Sequence, residues 1–202
     1  MAAGHAAHAL QAPAEAAAQW RRGLADGPTR ADEAVLLARL CEVEWTQGHG
    51  EVARAMHGRL RDLLSRPPED AIPLEVRIDV QLRAVDYLSK CGELPQALDE
   101  LDAMGMPPIG PARLRWWRMR ANVLHQLGRI DEAIAHGEQA LRNAPPHSRE
   151  RAEVLMSLAT AVHSGGRMAD AVAHADASIA LFDRLGDPTG RARAQFYRGI
   201  VR

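Results

Sequence analysis

The sequence predicts an all-α protein built from antiparallel helix pairs, and three observations lead to this fold class. Glycines at positions 48, 92, 128 and 166 each lie at the centre of a similar segment. Each glycine is followed five residues later by alanine and preceded seven residues earlier by a small residue. No segment alternates apolar and polar residues with a period of two, so a β-sheet is not expected. The pattern predicts four units of two helices joined at a glycine turn.

Residues 117–145 give the clearest version of this unit. Large and small apolar residues alternate at helical spacing, which allows two antiparallel helices to mesh. Gly128 can end the first helix and reverse the chain, because glycine adopts backbone conformations that other residues avoid. Ala133 and Ala140 have minimal side chains, so the second helix can approach its neighbours closely. Pro145 cannot continue a helix and ends it.

Trp117, Ala121, Ala133 and Ala140 fall where a tetratricopeptide repeat has its characteristic residues. The chain resembles this family over about residues 30–202. The resemblance implies a right-handed superhelical solenoid of antiparallel helix pairs. It also implies a scaffold that binds a protein or peptide in its concave groove, and it says little about which partner.

The sequence departs from the family pattern in the type of two residues and in the length of the repeats. Leu124 replaces the aromatic residue of the first helix, and Gly137 replaces that of the second. The turn glycines are 44, 36 and 38 residues apart, whereas a simple repeat has about 34 residues. The additional residues fall in proline-rich joints at 66–69 and 106–108, where insertions are best tolerated.

The elements are expected in the following order. Residues 1–28 form an N-terminal tail and a capping helix, since Pro13 is well placed to begin a helix and terminal repeats need a cover. Residues 29–202 form the solenoid, with four helix pairs and the first helix of a fifth. Thr29 resembles the first residue of a capping box and is expected to begin the first pair. The helix after Gly190 begins the fifth.

Composition and charge limit the classes of function. The net charge of −1 argues against non-specific binding of nucleic acid, which needs an excess of positive charge. Cys41 and Cys91 lie at different points of their repeats, so we expect no disulfide and a reducing, cytoplasmic location. No apolar run approaches 18 residues, so no membrane span is predicted. We find no P-loop, GxSxG or dinucleotide motif, and therefore predict no enzyme activity for these residues.

The resemblance places groove-facing residues about thirteen, ten, six and three positions before each turn glycine. The candidate peptide-binding residues are Glu42, Trp45, Asp79, Asp86, Arg115, Arg118, Asn122, His125, Thr160, His163 and Arg193. The groove is expected to be acidic at its N-terminal end and basic past the middle, which favours an extended peptide in one direction. The alternative is that these residues form ordinary solvated helix faces.

Arg118 and Asn122 resemble half of the carboxylate clamp with which some tetratricopeptide domains hold a C-terminal carboxylate. Arg193 matches another basic position of that clamp. A guanidinium can hold a carboxylate through two parallel hydrogen bonds. Ser157 stands where the clamp has asparagine, and Tyr197 stands where it has a second basic residue. Ordinary surface arginines are the alternative interpretation.

The sequence also has features of two other kinds of site, one for nucleic acid and one for a metal. Residues 112–120 combine four arginines with two tryptophans, which could indicate stacking on single-stranded nucleic acid. Trp117 occupies the repeat's own aromatic position and Trp116 is expected to cover a flank, so a structural role is favoured. Equivalent histidines such as His125 and His163 are expected about 10 Å apart, too far to share a metal. No metal or cofactor is predicted.

The resemblance favours one biological role and leaves a second open. Residues 181–194 are similar to segments of bacterial regulatory proteins, which implies the N-terminal regulatory or sensory input module of a larger signalling protein. Such proteins include diguanylate cyclases and transcriptional regulators. The alternative is a self-assembly module that forms homo-oligomers, for example a homodimer through Phe196 and Ile200 at the C-terminal end. Because the last predicted helix lacks its partner, we expect the natural protein to continue beyond Arg202.

Overall fold

A computed structural model describes residues 13–67, 72–108 and 110–200. Those residues form ten α-helices and no strand, which confirms the predicted all-α, helical-repeat fold class. The helices are α1 (Pro13–Ala25), α2 (Arg30–Thr46), α3 (Gly50–Ser65), α4 (Leu74–Cys91), α5 (Leu94–Met104), α6 (Pro111–Gln126), α7 (Ile130–Asn143), α8 (Arg149–Ser164), α9 (Met168–Arg184) and α10 (Pro188–Ile200). The predicted tail, residues 1–12, lies outside the described residues.

The chain divides into two compact units, the first ending at Gly92 and the second beginning at Glu93. In the first unit, α2 and α3 form an antiparallel pair, and α4 packs against α2. Helix α1 also packs on α2. The buried cluster that joins them consists of Ala16, Ala17, Trp20, Leu36, Leu40 and Val43. The role of α1 as a cap on the repeats, which remains a prediction, would depend on this cluster.

A buried carboxylate also ties α1 to α2. The side chain of Glu44 is almost fully buried and pairs with the guanidinium of Arg21 on α1. Its second oxygen lies 2.8 Å from Nδ1 of His49 in the turn before α3. At the start of α2, Thr29 Oγ1 accepts a hydrogen bond from the backbone N–H of Asp32 at 3.2 Å. This N-cap bond is the one that the sequence predicts.

In the second unit, α6 pairs with α7 and α8 pairs with α9, while α10 packs against both α8 and α9. Helix α5 packs on α6. The alanines expected at helix–helix contacts are buried: Ala133, Ala140 and Ala159 have no exposed surface, and Ala121 is 5% exposed. This confirms the predicted use of small side chains, which let helices approach more closely than leucine or phenylalanine would.

The four turn glycines have backbone φ angles between 77° and 83°. This left-handed conformation is strained for residues with a Cβ atom and is readily adopted by glycine. At the end of α4, for example, the N–H of Gly92 bonds the carbonyls of Leu88 and Ser89. The turn role predicted from the recurring glycine is therefore confirmed at all four positions.

Gly137 allows an unusually close contact between α7 and α8. A Cβ atom at this position would lie 2.8 Å from Leu158 Cδ1, closer than packed carbon atoms come. The aromatic residue of the family pattern would therefore not fit here. A cavity of about 10 Å³ remains beside this contact. Its lining consists of Arg118, Ala121, Asn122, Ala133, Gly137, Ala140, Val154, Ser157, Leu158 and Ala161.

Four half-buried histidines give the fold a predictable response to pH. Burial lowers the pKa of His57, His125, His136 and His174 below the unperturbed value of 6.5. A histidine whose pKa is lower in the folded than in the unfolded state binds a proton less readily when the protein is folded. Its contribution to stability is therefore complete above the unfolded pKa and is lost as the pH falls through the folded pKa. We expect the melting temperature to decrease between about pH 7.5 and about pH 5.5, before most carboxylates titrate.

The His136→Gln variant tests this assignment. His136 Nε2 accepts a hydrogen bond from Arg120 Nε at 3.2 Å, so protonation of the ring breaks that bond, whereas the glutamine amide does not titrate. The variant should lose part of the pH dependence of the melting temperature. Equal slopes in circular-dichroism melts of the wild-type protein and His136→Gln would contradict the assignment.

Candidate peptide-binding surface

The candidate binding surface lies on α6, α8 and α10, the first helices of their pairs in the second unit. Helix α8 packs against α6 on one side and α10 on the other. Three arginines, one from each helix, surround a single carboxylate on α8. Glu153 lies 3.8 Å from Arg118 Nη2, 3.4 Å from Arg149 Nε and 3.6 Å from Arg193 Nη2. We call Arg118, Arg149 and Arg193 the arginine cluster.

The start of α10 adds a second carboxylate at the edge of the cluster. Asp187 Oδ1 accepts a hydrogen bond from the backbone N–H of Gly190 at 2.8 Å and so caps this helix. Its other oxygen, Oδ2, lies 3.5 Å from Arg149 Nη2. The two carboxylates together are outnumbered by the three guanidinium groups, so the surface around Glu153 is positively charged.

The arginines are accessible while the carboxylate is sheltered. The side chains of Arg149 and Arg193 are 59% and 48% exposed, whereas those of Arg118 and Glu153 are 29% and 23% exposed. An anion approaching from solvent would meet Arg149 and Arg193 first. Guanidinium groups hold carboxylates through charge-assisted hydrogen bonds, so this arrangement can bind an acidic segment.

The residues that resemble half of a carboxylate clamp lie close together. Arg118 and Asn122 of α6 line the same small cavity as Ser157 of α8. Tyr197 is half-buried and makes an edge contact with Phe196, with ring centroids 5.7 Å apart. Ser157 and Tyr197 thus stand on the two neighbouring first helices, and neither supplies the amide or the positive charge that the clamp pattern has there.

The other predicted groove residues of the second unit have partners or are partly sheltered. His125 Nε2 lies 2.9 Å from Ser164 Oγ, and burial lowers the pKa of its imidazole. The hydroxyl of Thr160 donates to the carbonyl of Ser157 in its own helix at 2.8 Å. Arg115 and His163 are half-buried.

In the first unit, the residues predicted to make an acidic surface lie among cations. Arg83 contacts Asp79 at 2.9 Å and Glu42 at 3.6 Å. Lys90 contacts Asp86 at 2.7 Å and Glu42 at 3.6 Å. The negative charge expected at the N-terminal end of the groove is therefore largely compensated. The spacing of four residues in Asp79/Arg83 and Asp86/Lys90 is the sequence signal that could have identified both cations.

Trp45, the remaining candidate of the first unit, packs on an aromatic neighbour. Its ring meets that of Tyr87 edge to face, with centroids 6.0 Å apart. The ring of His57 also packs on Tyr87, with ring centroids 5.2 Å apart. The thiol of Cys41 is buried nearby and donates to the carbonyl of Ala53 at 3.4 Å. Burial raises the pKa of this thiol to about 12, which makes it a poor nucleophile.

The tryptophans of residues 112–120 are both used in packing. Trp116 is buried, and its Nε1–H donates to the carbonyl of Leu101 at 3.2 Å. Arg120 stacks over this ring at 5.4 Å. Trp117 is half-buried beneath Arg113, at 5.9 Å from the guanidinium carbon. Trp116 was expected to cover a flank, and it is instead the more buried of the two rings.

Within residues 13–67, 72–108 and 110–200, His, Cys, Asp and Glu side chains form no group of three or more that could hold a metal ion. Among the ten described helices, none has the length and apolar character needed to cross a lipid bilayer.

Comparison with known proteins identifies the repeat. Residues 115–147 match the tetratricopeptide repeat family. Among solved structures, PilF of Pseudomonas aeruginosa is similar to this chain with a TM-score of 0.64 and 18% sequence identity, covering 95% of this chain and 85% of PilF. A complex of yeast Sti1, comprising its TPR2AB domain and pHSP90, has a TM-score of 0.42 and 14% identity, covering 99% and 96% of the two chains.

No match was found among curated proteins. At 18% identity, the similarity to PilF establishes the fold alone. The family match covers the segment in which the turn glycine and the buried alanines were first recognised. These findings identify a tetratricopeptide repeat at residues 115–147 and show that the chain shares the helical fold of PilF.

Proposed function

We propose that this protein binds an acidic segment of a protein partner at the arginine cluster. The observation that carries the proposal is the convergence of three guanidinium groups, from three successive first helices, on the single carboxylate of Glu153. Isolated surface arginines usually pair with one neighbour and contribute little. Here three cations face two carboxylates, Glu153 and Asp187, so one positive charge is left to attract an anionic ligand.

The geometry also favours an extended ligand. Arg118, Arg149 and Arg193 lie on helices that pack side by side, so a ligand contacting all three would run across the helices. First helices line the concave surface that solenoid proteins use for binding. An extended peptide presents several side chains to such a surface, and carboxylates on it could contact successive guanidinium groups.

A titration with a fluorescein-labelled hexaglutamate peptide, followed by fluorescence anisotropy, tests the proposal. We expect saturable binding that weakens as salt is added, because exposed ion pairs are screened over about 10 Å at 0.1 M ionic strength. Hexaglutamine, which has the same length and no charge, is the matched control and should not bind. Absence of hexaglutamate binding at low salt would contradict the proposal.

The finer part of the proposal concerns regulation. We infer that the chain is the input module of a larger bacterial signalling protein, such as a diguanylate cyclase or a transcriptional regulator, and acts in the cytoplasm. The similarity of residues 181–194 to segments of such proteins supports this role. In this arrangement the acidic segment would be the signal that the module receives.

One observation favours homo-oligomerisation as a second function. Helix α10 exposes two large apolar side chains, with 68% of Phe196 and 49% of Ile200 accessible. A copy of the same chain could cover them. Measuring the molecular mass at several concentrations distinguishes this function from peptide binding, since only self-assembly makes the mass of the protein alone depend on concentration.

A further inference from the structure

The arginine cluster is already partly occupied by a group of the protein itself. Within the described residues, Glu153 is the anionic partner of both Arg118 and Arg193. Its distances to the three guanidinium groups are 3.4, 3.6 and 3.8 Å. Charge-assisted N–H···O⁻ hydrogen bonds are shorter, at about 2.7–2.9 Å. Glu153 therefore offsets part of the positive charge of the cluster without close hydrogen bonds. Most guanidinium N–H groups of the three arginines are left to bind another acceptor.

The position of Glu153 brings it into conflict with any anionic ligand. It stands on α8, between the arginines of α6 and α10, where a carboxylate contacting all three arginines would also lie. Its side chain is the least exposed of the four, so solvent screens it weakly. An incoming carboxylate must either sit beside a like charge, which disfavours binding, or displace Glu153 from its place.

We infer that Glu153 is an internal competitor of the ligand, and that it lowers the affinity of the arginine cluster for acidic segments. In the free protein it supplies the negative charge that the partner supplies in the complex. This inference rests on the proposed function, and it adds how the same site is regulated: the carboxylate of Glu153 sets how much negative charge a segment needs in order to bind.

The test compares variants in the hexaglutamate titration. Glu153→Gln removes the charge and keeps the shape, so it should bind about three- to tenfold more tightly than wild type. Glu153→Asp keeps the charge on a side chain one methylene shorter, so it should gain less affinity than Glu153→Gln. Glu150→Gln, at an exposed position on the same helix, changes the net charge equally and should alter affinity by less than about twofold.

The outcomes separate this inference from the proposed function. Wild-type binding with no gain in Glu153→Gln would overturn the inference and leave the proposed function standing. An equal gain in Glu150→Gln would also overturn it, since the effect would then come from net charge. If neither the wild-type protein nor Glu153→Gln binds, both proposals fail. Circular-dichroism melts of each variant check that the fold is retained.

Discussion

Reversing the charge of Arg118 and Arg193 together is expected to weaken binding of an acidic segment strongly while the fold survives. The double change Arg118→Glu, Arg193→Glu removes two cations of the arginine cluster and adds two anions beside Glu153. If each altered charge pair is worth about 0.2–1 kcal/mol, the four changes together weaken binding by about 1–4 kcal/mol. That corresponds to roughly 5- to 1000-fold in Kd, which anisotropy with hexaglutamate measures directly.

The second helices of the same unit provide a matched control. Arg142 and Arg167 pair with Glu138 and Asp170 on α7 and α9, and both are exposed. Arg142→Glu, Arg167→Glu changes the net charge by the same amount without touching the arginine cluster, so binding should fall only slightly. Undiminished binding by the Arg118/Arg193 variant would place the contact on another surface.

Replacing Gly190 with alanine is expected to reduce the free energy of unfolding by about 1–3 kcal/mol, a typical cost of overpacking. A Cβ atom there would lie 2.3 Å and 2.4 Å from Phe182 Cδ1 and Cε1, and 2.8 Å from Asp187 Oδ2. The Phe182 ring is fully buried, and a side chain in a closely packed interior moves only at a cost. The helix would have to shift or the ring would have to leave its rotamer. Urea unfolding followed by circular dichroism measures the change.

Gly199→Ala is the control for this experiment, because it makes the same substitution later in α10. A Cβ atom at Gly199 would meet nothing within 4 Å. Alanine is favoured over glycine in a helix by about 1 kcal/mol, so this variant should be unchanged or slightly more stable. A Gly190→Ala variant as stable as Gly199→Ala would mean that α10 does not pack on Phe182 as described.

The parts of the fold that could be predicted are those that one residue type specifies locally. A turn with a φ angle near 80° favours glycine wherever it lies, and a contact without space for a larger side chain requires alanine. Gly128 and Ala133 therefore identify their positions without knowledge of the neighbouring helices. That Trp116 is more buried than Trp117 was not predictable in this way, since the burial of Trp116 depends on the Leu101 carbonyl of another helix.

The candidate site was predictable only in part for a similar reason. Arg118 and Arg193 lie at positions that the repeat register marks as groove-facing. Arg149 lies outside that register, although its spacing of four residues from Glu153 on the same helix is a signal that could have identified the pair. The contacts of Glu153 with Arg118 and Arg193 depend on how α6 and α10 pack against α8, which the sequence does not specify locally. The register alone also assigned negative charge to Asp79, although Arg83 lies one helical turn away and compensates it.

Helix α10 is held by a narrow contact, and this has a consequence for the energetics of the arginine cluster. Its described buried residues are Gly190 and Ala194, which contribute little apolar area, so detachment of this helix costs less free energy than opening of α8. Whenever α10 detaches, Arg193 leaves the site. An acidic ligand that bridges α8 and α10 would oppose this local opening. Its binding would therefore slow amide hydrogen exchange throughout α10, including at helix ends that the ligand does not contact.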